Sequence, residues 1–152
     1  MRTLESYIYH SKEESVFTLF DRLACRDLAS AQAVLSKILL SRSSDPNAVL
    51  SGLLWQIRRL LRFKILLEAG YSSADTFPRL KIWNKRGQKI HLEGHKNYSR
   101  TEAEALITLV EEFSIRLRST ASDLGALLIQ MFLYYAIVRG GRFPRMQRGQ
   151  MG

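Results

Sequence analysis

The chain has 152 residues, 46% apolar and 24% charged, enough to bury one core unaided and too apolar for wholesale disorder. Its formal net charge of +9 points to an acidic partner, but four arginines fall in the acid-free stretch 139–152, leaving the rest only moderately basic. The single cysteine, Cys25, excludes an intramolecular disulfide and fits a reducing cytosol, and it reads as a small hydrophobe buried on a helix.

Residues 1–12 carry charges and no sustained apolar run, so they do not read as a secretory signal. Ser11-Lys-Glu-Glu14 has capping-box spacing, and Val16, Phe17, Phe20, Leu23 and Ala24 then keep one helical face. Asp27 is placed to cap a second helix with Leu28, Ala31, Leu35, Ile38 and Leu39 on its stripe. Asp45-Pro46 opens a third: a carboxylate for the free amides, then a proline where no amide hydrogen is needed. That helix runs through Leu50, Leu53, Leu54, Ile57, Leu60, Leu61 and Ile65 to Gly70, which is placed to end it.

Between Tyr71 and Tyr98 the periodicity degrades at Pro78, Gly87 and Gly94, and the expectation is a short or broken helix over 84–98 with Trp83 and Ile90 inward. Ser99-Arg-Thr-Glu102 repeats the capping box, followed by Ala103, Leu106, Ile107, Val110, Phe113 and Leu117 at helical intervals. Thr120 is expected to cap a last helix that Gly140-Gly141 ends. Leu124 to Val138 is free of charge, but fifteen residues reach only about 22 Å against about 30 Å of hydrocarbon, so it predicts a buried helix. The fold class is all-α, one compact domain of five or six helices over 11–140, with 141–152 a basic, disordered tail.

Catalytic chemistry is hard to place. His91 and His95 sit four apart, but in HLEGH the glutamate stands at the third position and a glycine weakens the helix, so they read as solvated histidines rather than a zinc pair. There is no phosphate-binding glycine loop, nucleophile elbow or CxxC, and no catalytic residue, metal or cofactor is assigned. The residues that stand out are Trp55, Arg58, Arg59 and Arg62, on the flank and far side of the third helix. Its outer edge reads as a solvated face, a phosphate track, a surface for anionic membrane or a protein contact. Tyr134 and Tyr135 read as packing residues.

The succession ESVFTLFDRLACRDLASAQAVLSKIL, DPNAVLSGLLWQIRRLLRFKILLEAG, YSRTEAEALITLVEEFSIRLRS and LGALLIQMFLYYAIV resembles the C-terminal domain of the bacterial DNA polymerase III delta subunit. Its third-helix signature falls on Gln56, Ile57, Arg58, Leu60, Leu61, Lys64, Leu66, Leu67 and Gly70. The resemblance covers about 13–139 and departs at 77–95, where this chain is longer, glycine-broken and basic. It implies a non-enzymatic collar domain of the clamp loader, the assembly that places the sliding clamp on primed DNA. The partners it implies are the collar domains of the other loader subunits, with the clamp itself held by an upstream region that this sequence lacks and to which residues 1–10 would be the remnant of the connection. It would act in the cytoplasm as an accessory to the polymerase holoenzyme. The second reading is an autonomous nucleic-acid-binding domain using Arg58, Arg59, Arg62, Lys81, Lys85, Arg86, Lys89 and Lys96.

Overall fold

The computed structural model describes residues 15–41 and 45–144. Those residues form seven α-helices and no strand: α1, whose described part is 15–24, α2 (Leu28–Leu40), α3 (Pro46–Glu68), α4 (Ser73–Arg79), α5 (Lys85–Asn97), α6 (Arg100–Ser119) and α7 (Gly125–Ile137), with a 3-10 turn at Ser122–Leu124. All-α is as expected, and the count exceeds the five or six expected because the segment after Gly70 folds into two helices.

Most boundaries follow from the caps. The Asp27 carboxylate accepts from the Ser30 amide, Asp45 from Asn47, and Ser99 and Glu102 form a complete capping box on α6. Gly70, at φ +103, takes the left-handed turn that ends α3, a conformation nearly free for glycine and costly for other residues. The capping box expected at Ser11–Glu14 lies outside the described residues. Thr120 is a correction: it terminates α6, and α7 starts from Leu124 without a side-chain cap.

The segment 71–98 departs most from expectation. Ser72 caps α4 by accepting from the Asp75 amide, and Pro78 falls in its final turn. Asn84 caps α5 by accepting from the Gly87 amide at 2.6 Å, and α5 continues unbroken through both glycines. Its buried face is Gly87, Ile90, His91 and Gly94, two glycines, one imidazole and a single large apolar side chain, which carries little periodic apolar signal. A Cβ on Gly94 would lie 2.9 Å from Leu60 Cδ2, so the glycine allows α5 to sit close against α3. Ile90 points inward as expected; Trp83 does not, being 70% exposed.

α3 is the central element, packed most heavily on α6 and also on α5, α4 and α7, while α2 and α6 both pack on α7. Its buried side chains are Val49, Leu50, Leu53, Ile57, Leu60, Phe63 and Lys64, and each large apolar one contributes about 1.5–3 kcal/mol relative to exposure. Ile65, expected on that face, is partly exposed. The face rotates toward Phe63 and Lys64 at the C-terminal end, where Phe63 stacks on Phe77 of α4 at 5.3 Å. A second small core of Phe63, Phe77 and Ile82 forms there. Cys25 is another correction: it is exposed in the turn after α1 rather than buried on a helix.

Arg26 ties the helix ends together. It holds φ +56 between α1 and α2 and donates from Nε to the Ile137 carbonyl (2.9 Å) and from Nη1 to the Asn97 carbonyl (2.9 Å) and Glu102 (3.1 Å). Its guanidinium also lies 4.6 Å from the centroid of the Tyr98 ring. Glu102 therefore serves twice, since its other oxygen accepts from the Ser99 amide. Past α7 the chain folds back: Phe143 packs edge-on against Phe113 (5.2 Å) and Tyr135 (4.8 Å), beneath Arg116.

Candidate functional site

The three arginines and the tryptophan of α3 do converge. Trp55, Arg58, Arg59 and Arg62 line one wall of a surface cleft of about 560 Å³. Arg79, Leu80 and Lys81, from the end of α4 and the following turn, line the other. Helical spacing explains the first wall, because positions 55, 58, 59 and 62 are separated by three and four residues and share one face. The second wall depends on α4 folding back over Phe63.

The cleft is lined by five cations and no acid, and none of the five forms an ion pair among the described residues. Arg59 is the half-buried one. Its guanidinium lies 4.6 Å from the centroid of the Trp55 indole, Nη2 donates to Gln56 Oε1 at 3.2 Å, and Nε is buried with no acceptor. Burial pushes its pKa below the ordinary arginine value without neutralising it. Trp55 itself is 59% exposed. Lys81 holds φ +59, a left-handed conformation that costs a lysine energy yet keeps its charge beside the cleft.

A second surface lies on α7. Leu124, Leu127, Met131, Tyr134 and Val138 are all exposed, at alternating intervals of three and four residues. The opposite face of the helix, Ile129, Phe132, Leu133, Ala136 and Ile137, is core. α7 thus carries no charge, with Gln130 its one amide side chain, and is buried on one side only. Tyr134 belongs to the outer stripe and stands edge-on to the half-buried Tyr135 at 5.3 Å.

His91 is not solvated as expected, and His95 is only partly so. His91 is fully buried between Phe20 and Phe63, with Nδ1 donating to the Gly87 carbonyl at 2.8 Å. Burial drives its pKa down to about 4, so the ring is neutral. His95 faces another partner: the buried Lys64 ammonium donates to its Nδ1 (3.1 Å) and to its backbone carbonyl (3.0 Å). Burial lowers the pKa of both Lys64 and His95, and the Lys64 charge depresses His95 further. These contacts join α3 to α5, and no group of three or more potential metal ligands occurs among the described residues.

The family model described as DNA polymerase III delta subunit, C-terminal domain, matches residues 13–136. The chain belongs to that family. Its fold is similar to that of the Bacillus subtilis DNA clamp loader delta protein (YqeN), with a TM-score of 0.68 and 20% sequence identity over 84% of this chain. The chain spans 37% of the length of that protein. No curated protein matches it.

The delta-family match runs through 77–95, the segment where the resemblance was weakest, and α4 and α5 there are well-capped helices. Of the basic residues grouped from the sequence, Lys81 joins the cleft and Lys85, Arg86, Lys89 and Lys96 do not line it. Arg86 is engaged elsewhere, donating to Thr18 Oγ1 at 3.0 Å and lying over Phe17. Arg79, whose guanidinium lies over the Tyr71 ring at 4.4 Å, was missed, since only the packing of α4 on α3 brings it to the cleft. The α7 stripe was legible as an alternation of three and four, but its charge-free composition hid it as core.

Proposed function

We propose that this chain is the assembly domain of a clamp-loader delta subunit, a non-catalytic helical unit that docks on the collar domains of the other loader subunits. The observation that carries this is the outer stripe of α7. Five large apolar side chains from Leu124 to Val138 repeat at the spacing by which one helix seats another at a shallow crossing angle. A stripe of that length in water is costly, and covering it with a partner helix recovers the loss. Family membership supports this choice of partner class. In this role the domain would support loading of the sliding clamp onto primed DNA as an accessory to DNA polymerase III, in the cytoplasm. A membrane role is disfavoured: no helix among the described residues is long and apolar enough to cross one, and the leucines of α3 are spent on the core.

The test is co-elution. The chain mixed with the other clamp-loader subunits should run with them on size exclusion, and Leu127→Glu/Met131→Glu should run alone while retaining its helical circular dichroism. If the double variant co-elutes like the parent, the α7 stripe is not the contact. If the parent itself elutes alone while a full-length delta subunit assembles, the assembly reading falls.

A further inference from the structure

We infer that the groove between α4 and α5 is a docking site for an acidic segment of a partner protein. That segment seats an apolar side chain beside Trp83 and lays carboxylates along the lysines of α5. The groove shares no lining residue with the basic cleft and lies on other helices than the α7 stripe, so it stands independently of the assembly reading.

The groove holds about 380 Å³, within the range of pockets that accept small ligands or peptide side chains. Phe77, Pro78, Ile82 and Trp83 give it an apolar lining, and its polar side chains, Ser73 and Gln88, carry no charge. Its floor is fixed. Phe77 stacks on Phe63, the Ile82 amide donates to the Phe77 carbonyl at 2.9 Å, and Gln88 Nε2 donates to the Ile82 carbonyl at 3.2 Å. A site already ordered loses little freedom on binding. Trp83 is the anchor: it is 70% exposed although it follows the buried Ile82, and tryptophan is a residue type on which interfaces concentrate their energy.

Charge beside the groove selects the occupant. At about 100° per residue, Lys85, Lys89, Leu92 and Lys96 fall on the outer face of α5, with Gln88 at its edge. All four are exposed, and none of the three lysines pairs with an acid among the described residues. Over 72–97 the chain has six lysines or arginines and two acids, Asp75 and Glu93. Carboxylates on a partner segment would meet the lysines, while an apolar side chain enters the uncharged groove. A nucleic-acid strand would find the lysines but no cation within the groove itself.

A random dodecapeptide library displayed on phage, selected on the chain and depleted on Trp83→Ala, probes the site. The enriched sequences should share net negative charge and at least one large apolar residue. The most enriched peptide, labelled, is then followed by fluorescence anisotropy. Lys85→Glu/Lys89→Glu should weaken it about fivefold or more. Arg58→Glu/Arg62→Glu makes the same change in net charge in the basic cleft and should leave binding within about twofold. Ala74→Glu, at an exposed position of the groove wall, puts a carboxylate where the apolar anchor enters and should weaken binding about tenfold or more. Circular dichroism confirms folding of each variant. In a Trp55→Phe background the remaining indole emission should shift to the blue on saturation, as Trp83 leaves water.

Failure to enrich any sequence, or enrichment of sequences without an excess of acids, would overturn the inference. Equal losses in the two charge variants, an Ala74→Glu variant that binds like the parent, or unshifted Trp83 emission would each overturn it too. Displacement of the peptide by an oligothymidylate at equal charge concentration would assign the groove to nucleic acid instead.

Discussion

Arg26→Ala is the most informative single substitution for the fold. Arg26 sits in the turn between α1 and α2 and hydrogen-bonds the last carbonyls of α5 and α7, at Asn97 and Ile137, and the first turn of α6 at Glu102. Positive charge at a helix C-terminus meets the negative end of the macrodipole, so both carbonyl contacts are of the favourable sign. Hydrogen bonds to charged groups are worth roughly 1.5–3 kcal/mol each when sheltered. The side chain is 27% exposed, so partial hydration reduces the sum, and the loss on truncation is expected to be about 3 kcal/mol.

A second effect runs the other way. Arg26 pays for a φ of +56, which alanine also pays and glycine does not. Arg26→Gly should therefore lose the same network yet remain about 1 kcal/mol more stable than Arg26→Ala. Urea unfolding followed by circular dichroism at neutral pH measures both. A cost below about 1 kcal/mol for Arg26→Ala would refute the tethering role, and a glycine variant less stable than the alanine one would refute the strain argument.

His91 makes stability depend on pH. Its pKa is about 4 in the folded chain against about 6.5 unfolded, so between these values the unfolded state binds more protons. Stability is then full above pH 6.5 and falls by about 3 kcal/mol as pH drops to 4; His91→Leu should cost little at pH 7.5 and flatten most of that slope, and an unchanged slope would disprove the assignment. Gly94→Ala should destabilise by about 1 kcal/mol despite the better helix propensity, because the new methyl meets Leu60. In a Leu60→Ala background the same change should become stabilising, and additive behaviour in urea unfolding would contradict the close contact. Phe143→Ala should cost about 2 kcal/mol by losing its contacts with Phe113 and Tyr135; no shift in the urea midpoint would mean that the segment beyond α7 adds nothing to the core.

Features that depend on neighbours along the chain were legible in residue order. The caps at Asp27, Asp45 and Ser99, the stop at Gly70, and the leucine face of α3 are local hydrogen bonds and 3.6-residue periodicity, both written in residue order. The proximity of Trp55 to Arg59 and Arg62 belongs with them. Features that need distant segments emerged only from the packing of the helices. α5 buries glycines and a histidine because α3 lies close against it, a reason invisible in its own composition. The second wall of the basic cleft exists because Phe77 stacks on Phe63 and draws Arg79 and Lys81 toward α3. The charge-free run of α7 could have been core on every side; which half stays in water is fixed by α2, α3 and α6 covering only the other half.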